Sequence, residues 1–355
     1  MSRTDFTLAY DGPALVTHEM NVRDLAPGAP LYSDSTDIAE LRSLVSRLDE
    51  TTLVVQGPPG SGKTYAGARL ITHLVAQGNR VGVAAPSHKA IENLLDEVEV
   101  AADEDGLDFH GLKHKGSGEP YESAHIMSTS NHAAMTSPEV KLAAGTSWHF
   151  ARPETDETLD YLFIDEAGQV SIADALAMGT AARNIVLLGD PQQLPQVIQG
   201  AHPDGAACSA LEHVLAGRQT IPSTDGVFLD RTWRLHPDLS HFCSELMYDG
   251  RLESAPGREL QEVIPAPGNA LGGAGLRWVS VEHEARTQSS GEEAERIAGM
   301  LDELLGSARY RDFEGNEHEL TLEDVLIITP FNAQVRCLEA RLPAGARIGT
   351  VDKFQ

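Results

Sequence analysis

The chain has 355 residues, a net charge of −26, 41% hydrophobic and 5% aromatic residues. That length suits two ordinary domains, and that composition excludes a disordered chain. The acidity excludes a broadly basic nucleic-acid-coating protein and requires any nucleic-acid groove to be local, since fields decay over a Debye length of roughly 8–10 Å.

Residues 1–50 form an N-terminal lead-in, with helical apolar spacing at Ile38, Leu41, Leu44, Val45 and Leu48. A buried strand is predicted over 52–56. Gly57-Pro58-Pro59-Gly60-Ser61-Gly62-Lys63-Thr64 follows it directly and opens an amphipathic helix over 63–76. This is a complete phosphate-binding loop in its proper setting. Glycines let consecutive backbone N–H groups converge on phosphate oxygens, and the helix N-terminus adds unpaired donors. Lys63 can reach the β- and γ-phosphates, the Thr64 hydroxyl can ligate Mg²⁺, and Tyr65 completes the nucleotide-binding set. Further strands are predicted at 80–85, 160–164 and 184–188, with helices at 88–98 and 171–180. Alternation of this kind predicts a parallel sheet covered on both faces. Gly78 stands where a helix should stop.

Residues 99–135 break the rhythm and read as a small insertion. Asp103-Glu104-Asp105 predicts an acidic exposed patch. His110, Lys113, His114 and Lys115 lack metal-ligand spacing and read as a solvated face. A second series begins near Gly226, with strands at 227–230, 276–281, 324–329 and 347–351 and helices at 237–247, 291–305 and 331–341. Ala255–Gly275, with three prolines and five glycines, reads as loop. The domains expected are therefore 51–222 and 223–355. No apolar run approaches membrane-span length, Met1–Asp5 lacks a signal-peptide pattern, and Cys208, Cys243 and Cys337 are too dispersed for a metal site. The expectation is a cytoplasmic protein with reduced thiols and no membrane partner.

Two more segments carry chemistry. Tyr161-Leu162-Phe163-Ile164 runs into Asp165-Glu166-Ala167-Gly168-Gln169. Two carboxylates at the carboxyl end of a buried strand are costly without a cation nearby. There Asp165 would hold Mg²⁺ and Glu166 would orient or deprotonate the attacking water. Ile185–Gly189 empties into Asp190-Pro191-Gln192-Gln193-Leu194-Pro195-Gln196, where Gln193 could sense a γ-phosphate or, as the plainer alternative, sit in a polar turn.

Together these three motifs resemble superfamily-1 helicases of the 5′→3′ translocating group, which includes the nonsense-mediated-decay and Okazaki-fragment-processing helicases. Ala85-Pro86-Ser87-His88-Lys89-Ala90 resembles motif Ia, and Ala144-Gly145-Thr146-Ser147-Trp148 resembles motif Ic. Arg231-Thr232-Trp233-Arg234-Leu235-His236-Pro237 resembles motif IV, and Val325–Gln334 and Gly349–Gln355 resemble the approach to motif V and motif V itself. The wording around His88-Lys89 and Thr232-Trp233-Arg234 is most similar to prokaryotic fusions of a RecB-like nuclease to such a helicase.

The resemblance implies two RecA-like domains with parallel sheets, the second incomplete at its C-terminus because motif VI would lie beyond Gln355. It implies ATP and Mg²⁺ as cofactors. Lys63, Asp165, Glu166, Gln193 and an arginine finger, Arg234, would carry hydrolysis, with Trp233 stacking on the base or serving as core. Pro86, Ser87, His88, Gly145, Thr146, Ser147 and Thr350 would hold single-stranded nucleic acid, DNA before RNA. A nuclease domain outside the chain is a further implied partner. In this family a glutamine upstream of the phosphate loop usually reads the base, yet only Gln56 precedes Gly57, which leaves adenine preference open. Truncation at motif V predicts nucleotide binding with poor hydrolysis. Rival readings are an ATP-gated binding module and a helicase part that only regulates a nuclease. A small-molecule kinase would leave Gly189–Gln196 and Thr232–Pro237 without a role.

Overall fold

The computed structural model of the protein describes residues 20–116, 119–193, 208–265, 271–306 and 308–354. It divides into two compact units, the first comprising residues up to Trp233 plus Cys243–Glu253, the second Arg234–Phe242 plus Ser254 onward.

The first unit is built on eight parallel strands. These are β1 (Thr52–Gln56), β2 (Val81–Ala84), β3 (Gly111–His114), β4 (Ile126–Thr129), β5 (Leu142–Gly145), β6 (Leu159–Ile164), β7 (Ala182–Gly189) and β8 (Gly226–Phe228). Their order across the sheet is β4-β3-β5-β2-β6-β7-β1-β8. Successive side chains point to opposite faces of a strand. Leu53 and Val55 therefore join one core with Val81, Val83 and Phe163, while Val54 joins the other with Leu162, Ile164 and Leu187. Helices α1 (Ile38–Val45), α2 (Lys63–Ala76) and α3 (His88–Asp105) pack on the first face.

Local chemistry sets the helix limits. The Asp37 carboxylate accepts from Ala39 N at the start of α1, and the Ser87 hydroxyl accepts from Ala90 N at the start of α3. Gly78 and Gly106 take φ of +88° and +62° just past the ends of α2 and α3, where a side chain would be strained.

Three expectations need correction. Residues 99–135 are not an insertion beside the sheet: α3 runs on to Asp105, and β3 and β4 extend the sheet at its edge. The acidic run is partly spent on clamping helices, because Arg69 in α2 pairs with Glu104 at 2.6 Å and Arg42 in α1 pairs with Asp105 at 2.7 Å. Lys113 is not on a solvated face either. It is 1% exposed and pairs with Glu92 at 3.0 Å.

The second correction concerns Gly226. Strand β8 does not start a second domain but closes the first sheet beside β1. A Cβ on Gly226 would sit 2.7 Å from the Val54 carbonyl, an approach only glycine permits. The first unit therefore extends beyond 222.

The second unit holds helices Gly291–Leu304 and Asn332–Glu339 and the parallel pair Leu326–Ile328 and Arg347–Gly349, around a core of Ala294, Leu301, Ile327, Leu338 and Ile348. The third correction lies here. Residues 276–281 form no strand, and Trp278 stands 93% exposed. Instead Glu262–Ile264, Arg309–Arg311 and Glu317–Glu319 make a three-stranded antiparallel sheet, so Ala255–Gly275 is not all loop. These strands carry charge pairs such as Arg311 with Glu262 and Glu317, not an apolar alternation. All three cysteines are half-buried and none is in a disulfide.

Candidate functional site

The phosphate loop is held open by its glycines. Gly57 N donates to Gly189 O at 2.9 Å, tying the loop to the end of β7. A Cβ on Gly57 would lie 2.3 Å from Lys63 Cγ and 2.5 Å from Ser61 Oγ, and Gly60 and Gly62 take φ of +74° and +84°. Lys63 Nζ curls back to the Gly57 carbonyl at 2.7 Å. Helix α2 starts with no side-chain cap and no acidic residue in its first turn. Ser61 Oγ is buried without a hydrogen-bond partner. Unspent donors, an uncapped helix start and a movable ammonium make this cradle fit an anion of phosphate geometry. Thr64 is half-buried in the same first turn.

The far side of the loop is pinned by the segment resembling motif IV. The Pro58 carbonyl accepts from Ser61 N at 3.1 Å within the loop. Thr232 Oγ1 donates to Pro59 O at 3.0 Å, and Trp233 N donates to Gly60 O at 2.8 Å. The Trp233 ring is 50% exposed beside Gly62, and exposed Tyr65 lies under the Arg69 guanidinium, 3.4 Å from its centroid. Two aromatic faces thus flank the loop. Gln56 is spent elsewhere, since its amide donates to Gln219 O and accepts from Ile221 N, both at 2.8 Å, inside the core.

Facing the cradle, Asp165 is buried at the end of β6, its backbone N–H bonded to Ala84 O at 2.8 Å. Burial, followed by the neighbouring Glu166 charge, pushes its carboxyl up to about 6; Glu166 N–H and Lys63 oppose the rise. A carboxylate held so far from its ordinary state is a natural ligand for a divalent cation, which would favour the ionised form. Glu166 sits at φ +50°, a conformation uncommon for a residue with a side chain. Strain of this kind concentrates at functional sites.

Asp190 at the end of β7 is buried, and burial raises its pKa. It accepts from Tyr248 Oη at 2.7 Å, from Gln192 N at 3.2 Å and from the Gln193 side chain. Gln193 is thus brought beside Asp190, while Leu194, Pro195 and Gln196 lie outside the described residues. The sequence reading missed Tyr248, which belongs to no motif. Its one signal was a tyrosine at the end of an amphipathic helix, Pro237–Met247. Arg234 is exposed and begins the second unit, and Thr350 caps a short 3₁₀ turn, Val351–Lys353, in the same unit.

The remaining predicted residues share the carboxyl edge of the sheet. Pro86 and Ser87 are exposed after β2, with half-buried His88 next to them. Gly145 ends β5, where a Cβ would press on His149 at 3.0 Å, and Thr146 and Ser147 follow half-buried. In open α/β sheets ligands bind at this edge. Lys141 lies at the opposite edge, donating to Gly78 O at 3.1 Å.

The fold and the cradle define a phosphate-loop α/β nucleotide-binding protein. Residues 40–214 match an AAA domain family, and residues 208–355 match a second AAA domain family. The ATP-dependent helicase NAM7 of Saccharomyces cerevisiae is 25% identical over 88% of this chain and 36% of its own length. The DNA replication ATP-dependent helicase/nucleases JHS1 of Arabidopsis thaliana and DNA2 of Saccharomyces cerevisiae are 24% and 26% identical, over 85% and 88% of this chain. The chain spans only 23% and 22% of those two proteins. By these matches the chain is similar to superfamily-1 helicases of the NAM7 and DNA2 type.

Proposed function

We propose that the protein is a nucleic-acid-dependent ATPase that couples hydrolysis to movement along a single strand. One observation carries this reading: the buried, cation-seeking Asp165 faces an uncapped phosphate cradle whose lysine is poised to release the Gly57 carbonyl. Lys63 would transfer its hydrogen bond to the phosphates. Glu166 would orient the attacking water and take its proton, and Gln193 would report the γ-phosphate to Asp190. Arg234 would act as the arginine finger, so that hydrolysis follows its arrival. Mg²⁺, held by Thr64 and Asp165, supplies charge neutralisation on the phosphate oxygens when bound. Trp233 and Tyr65 would grip the base, and shape-based stacking without a reading glutamine predicts weak discrimination among bases.

The strand would lie along Pro86, Ser87, His88, Gly145, Thr146 and Ser147, with Thr350 from the second unit. DNA is favoured over RNA because two of the matched relatives carry DNA replication in their names. Those names also support the finer kinship with helicase–nuclease fusions, and 5′→3′ polarity comes with the same resemblance. Among the described residues no helix is long and apolar enough to cross a membrane. With three cysteines outside any disulfide this supports a cytoplasmic setting. The test is Mg²⁺-dependent ATP hydrolysis with and without single-stranded DNA or RNA. Strand stimulation that Glu166→Gln abolishes, with nucleotide binding kept, is expected. Strand-independent hydrolysis would make the protein an ATPase of another kind.

A further inference from the structure

Four strands adjacent in the sheet, β4, β3, β5 and β2, each deliver an imidazole to the carboxyl edge. His132 follows β4, His114 ends β3, His149 follows β5 and His88 follows β2. The first three stack. Ring centroids of His114 and His132 lie 4.1 Å apart, and those of His132 and His149 lie 5.2 Å apart, each pair tilted by 16°. His132 Nδ1 and His149 Nδ1 are 2.9 Å apart, a hydrogen bond that needs one nitrogen protonated and the other bare. His88 adds a buried Nδ1 with no partner.

The row is built to stay neutral when the edge is empty. Burial first, and then the neighbouring histidines and Arg152, push His149 down to about 4 and lower His114. Burial and then Arg152 lower His132, against Glu154. Burial and then Lys113 lower His88, against Glu92. The charged groups facing the row are therefore the cations Lys113 and Arg152, with the carboxylates Glu92 and Glu154 beyond them. The donating ring of the His132–His149 pair has a bare Nε2, so the pair can take up one proton there and keep its Nδ1–Nδ1 hydrogen bond; His132 is half-buried whereas His149 is enclosed. A phosphate backbone along this edge supplies the negative charge that makes the extra proton favourable. In a chain of net charge −26, it is a local source of positive charge that exists only when the ligand is present.

We propose that single-strand binding at this edge is coupled to proton uptake by the His114–His132–His149 row. The proposal rests on the strand-binding reading above. Affinity should then rise as pH falls from about 7 toward the lowered values of the unbound row, about 4 for His149, by up to about tenfold per pH unit for each proton taken up.

The experiment measures binding of fluorescent oligothymidylate to the full chain across that range at fixed salt. Calorimetry in buffers of differing ionisation heat counts the protons. Nucleotide binding at the phosphate loop serves as the folding control for His132→Asn and His114→Asn. Proton uptake in the wild type that His132→Asn removes, with nucleotide binding intact, supports the proposal. Strand binding without proton uptake, or uptake that survives both substitutions, overturns it and leaves the strand-binding reading in place. No strand binding at any pH, with nucleotide still bound, overturns both.

Discussion

Asp165→Asn should make the protein more stable while disabling the proposed metal site. The Asp165 carboxyl is moved from 3.8 to about 6, a change of about 2.2 in pKa worth about 3 kcal/mol. The sign follows from where the proton resides. Between pH 3.8 and about 6 the unfolded chain has released it and the folded chain still holds it. Stability contributed below that window is therefore lost as pH rises through it. Asparagine keeps an oxygen to accept the Glu166 N–H bond at 2.9 Å but carries no charge to desolvate. In chelator, urea unfolding should show the variant equal to wild type near pH 4 and more stable by up to about 3 kcal/mol at pH 7.5, a Tm gain of about 6–12 °C for a unit of this size. The same carboxylate that costs stability should favour Mg²⁺-nucleotide binding, so saturating ligand should narrow the gap. A difference between variant and wild type that does not change from pH 4 to 7.5 would show that the Asp165 carboxyl is not held protonated by burial.

Tyr248→Phe removes a donor from buried Asp190; a lost bond to a charged group of this kind costs about 1.5–3 kcal/mol. Denaturant unfolding at neutral pH should show the loss, and a change below about 0.5 kcal/mol would place the Asp190 charge elsewhere. Gly57→Ala drives a Cβ into Lys63 and Ser61. It should weaken fluorescent-nucleotide binding far more than it lowers Tm, and equal damage to both would make the glycine a folding requirement only. Trp233→Ala should weaken nucleotide binding by about tenfold, the scale of one aromatic contact, and should leave unfolding nearly unchanged because half the ring is already in solvent.

Much of the nucleotide site was legible because its motifs sit at strand ends whose apolar runs are plain. Helix 63–76 and strand 52–56 appear with those limits. Gly57, Lys63 and Asp165 lie where loop and strand chemistry required. The histidine row was not legible. Its members are separated by up to 61 positions in sequence, and only the order β4-β3-β5-β2 makes them neighbours. Lys113 looked solvated because nothing near it in sequence showed that Glu92, on α3, would meet it. The small sheet of the second unit escaped notice for the opposite reason: Arg309–Arg311 and Glu317–Glu319 place Arg–Glu pairs on one side of the ladder and only Tyr310 against His318 on the other, so no apolar pattern marks them. The run at 276–281 alternates as a strand would, yet leaves Leu276 and Trp278 in solvent.

In the proposed mechanism Gly57–Thr64, with Asp165 opposite, binds a magnesium nucleotide. Titration of a non-hydrolysable ATP analogue into the wild type and Lys63→Ala, with Mg²⁺ and then with chelator, tests it directly. Two charge-assisted bonds at about 1.5–3 kcal/mol each imply at least a hundredfold loss, roughly, for the variant. Chelator should weaken the wild type as well. Wild-type binding that neither the substitution nor the chelator alters would contradict the assignment of the site.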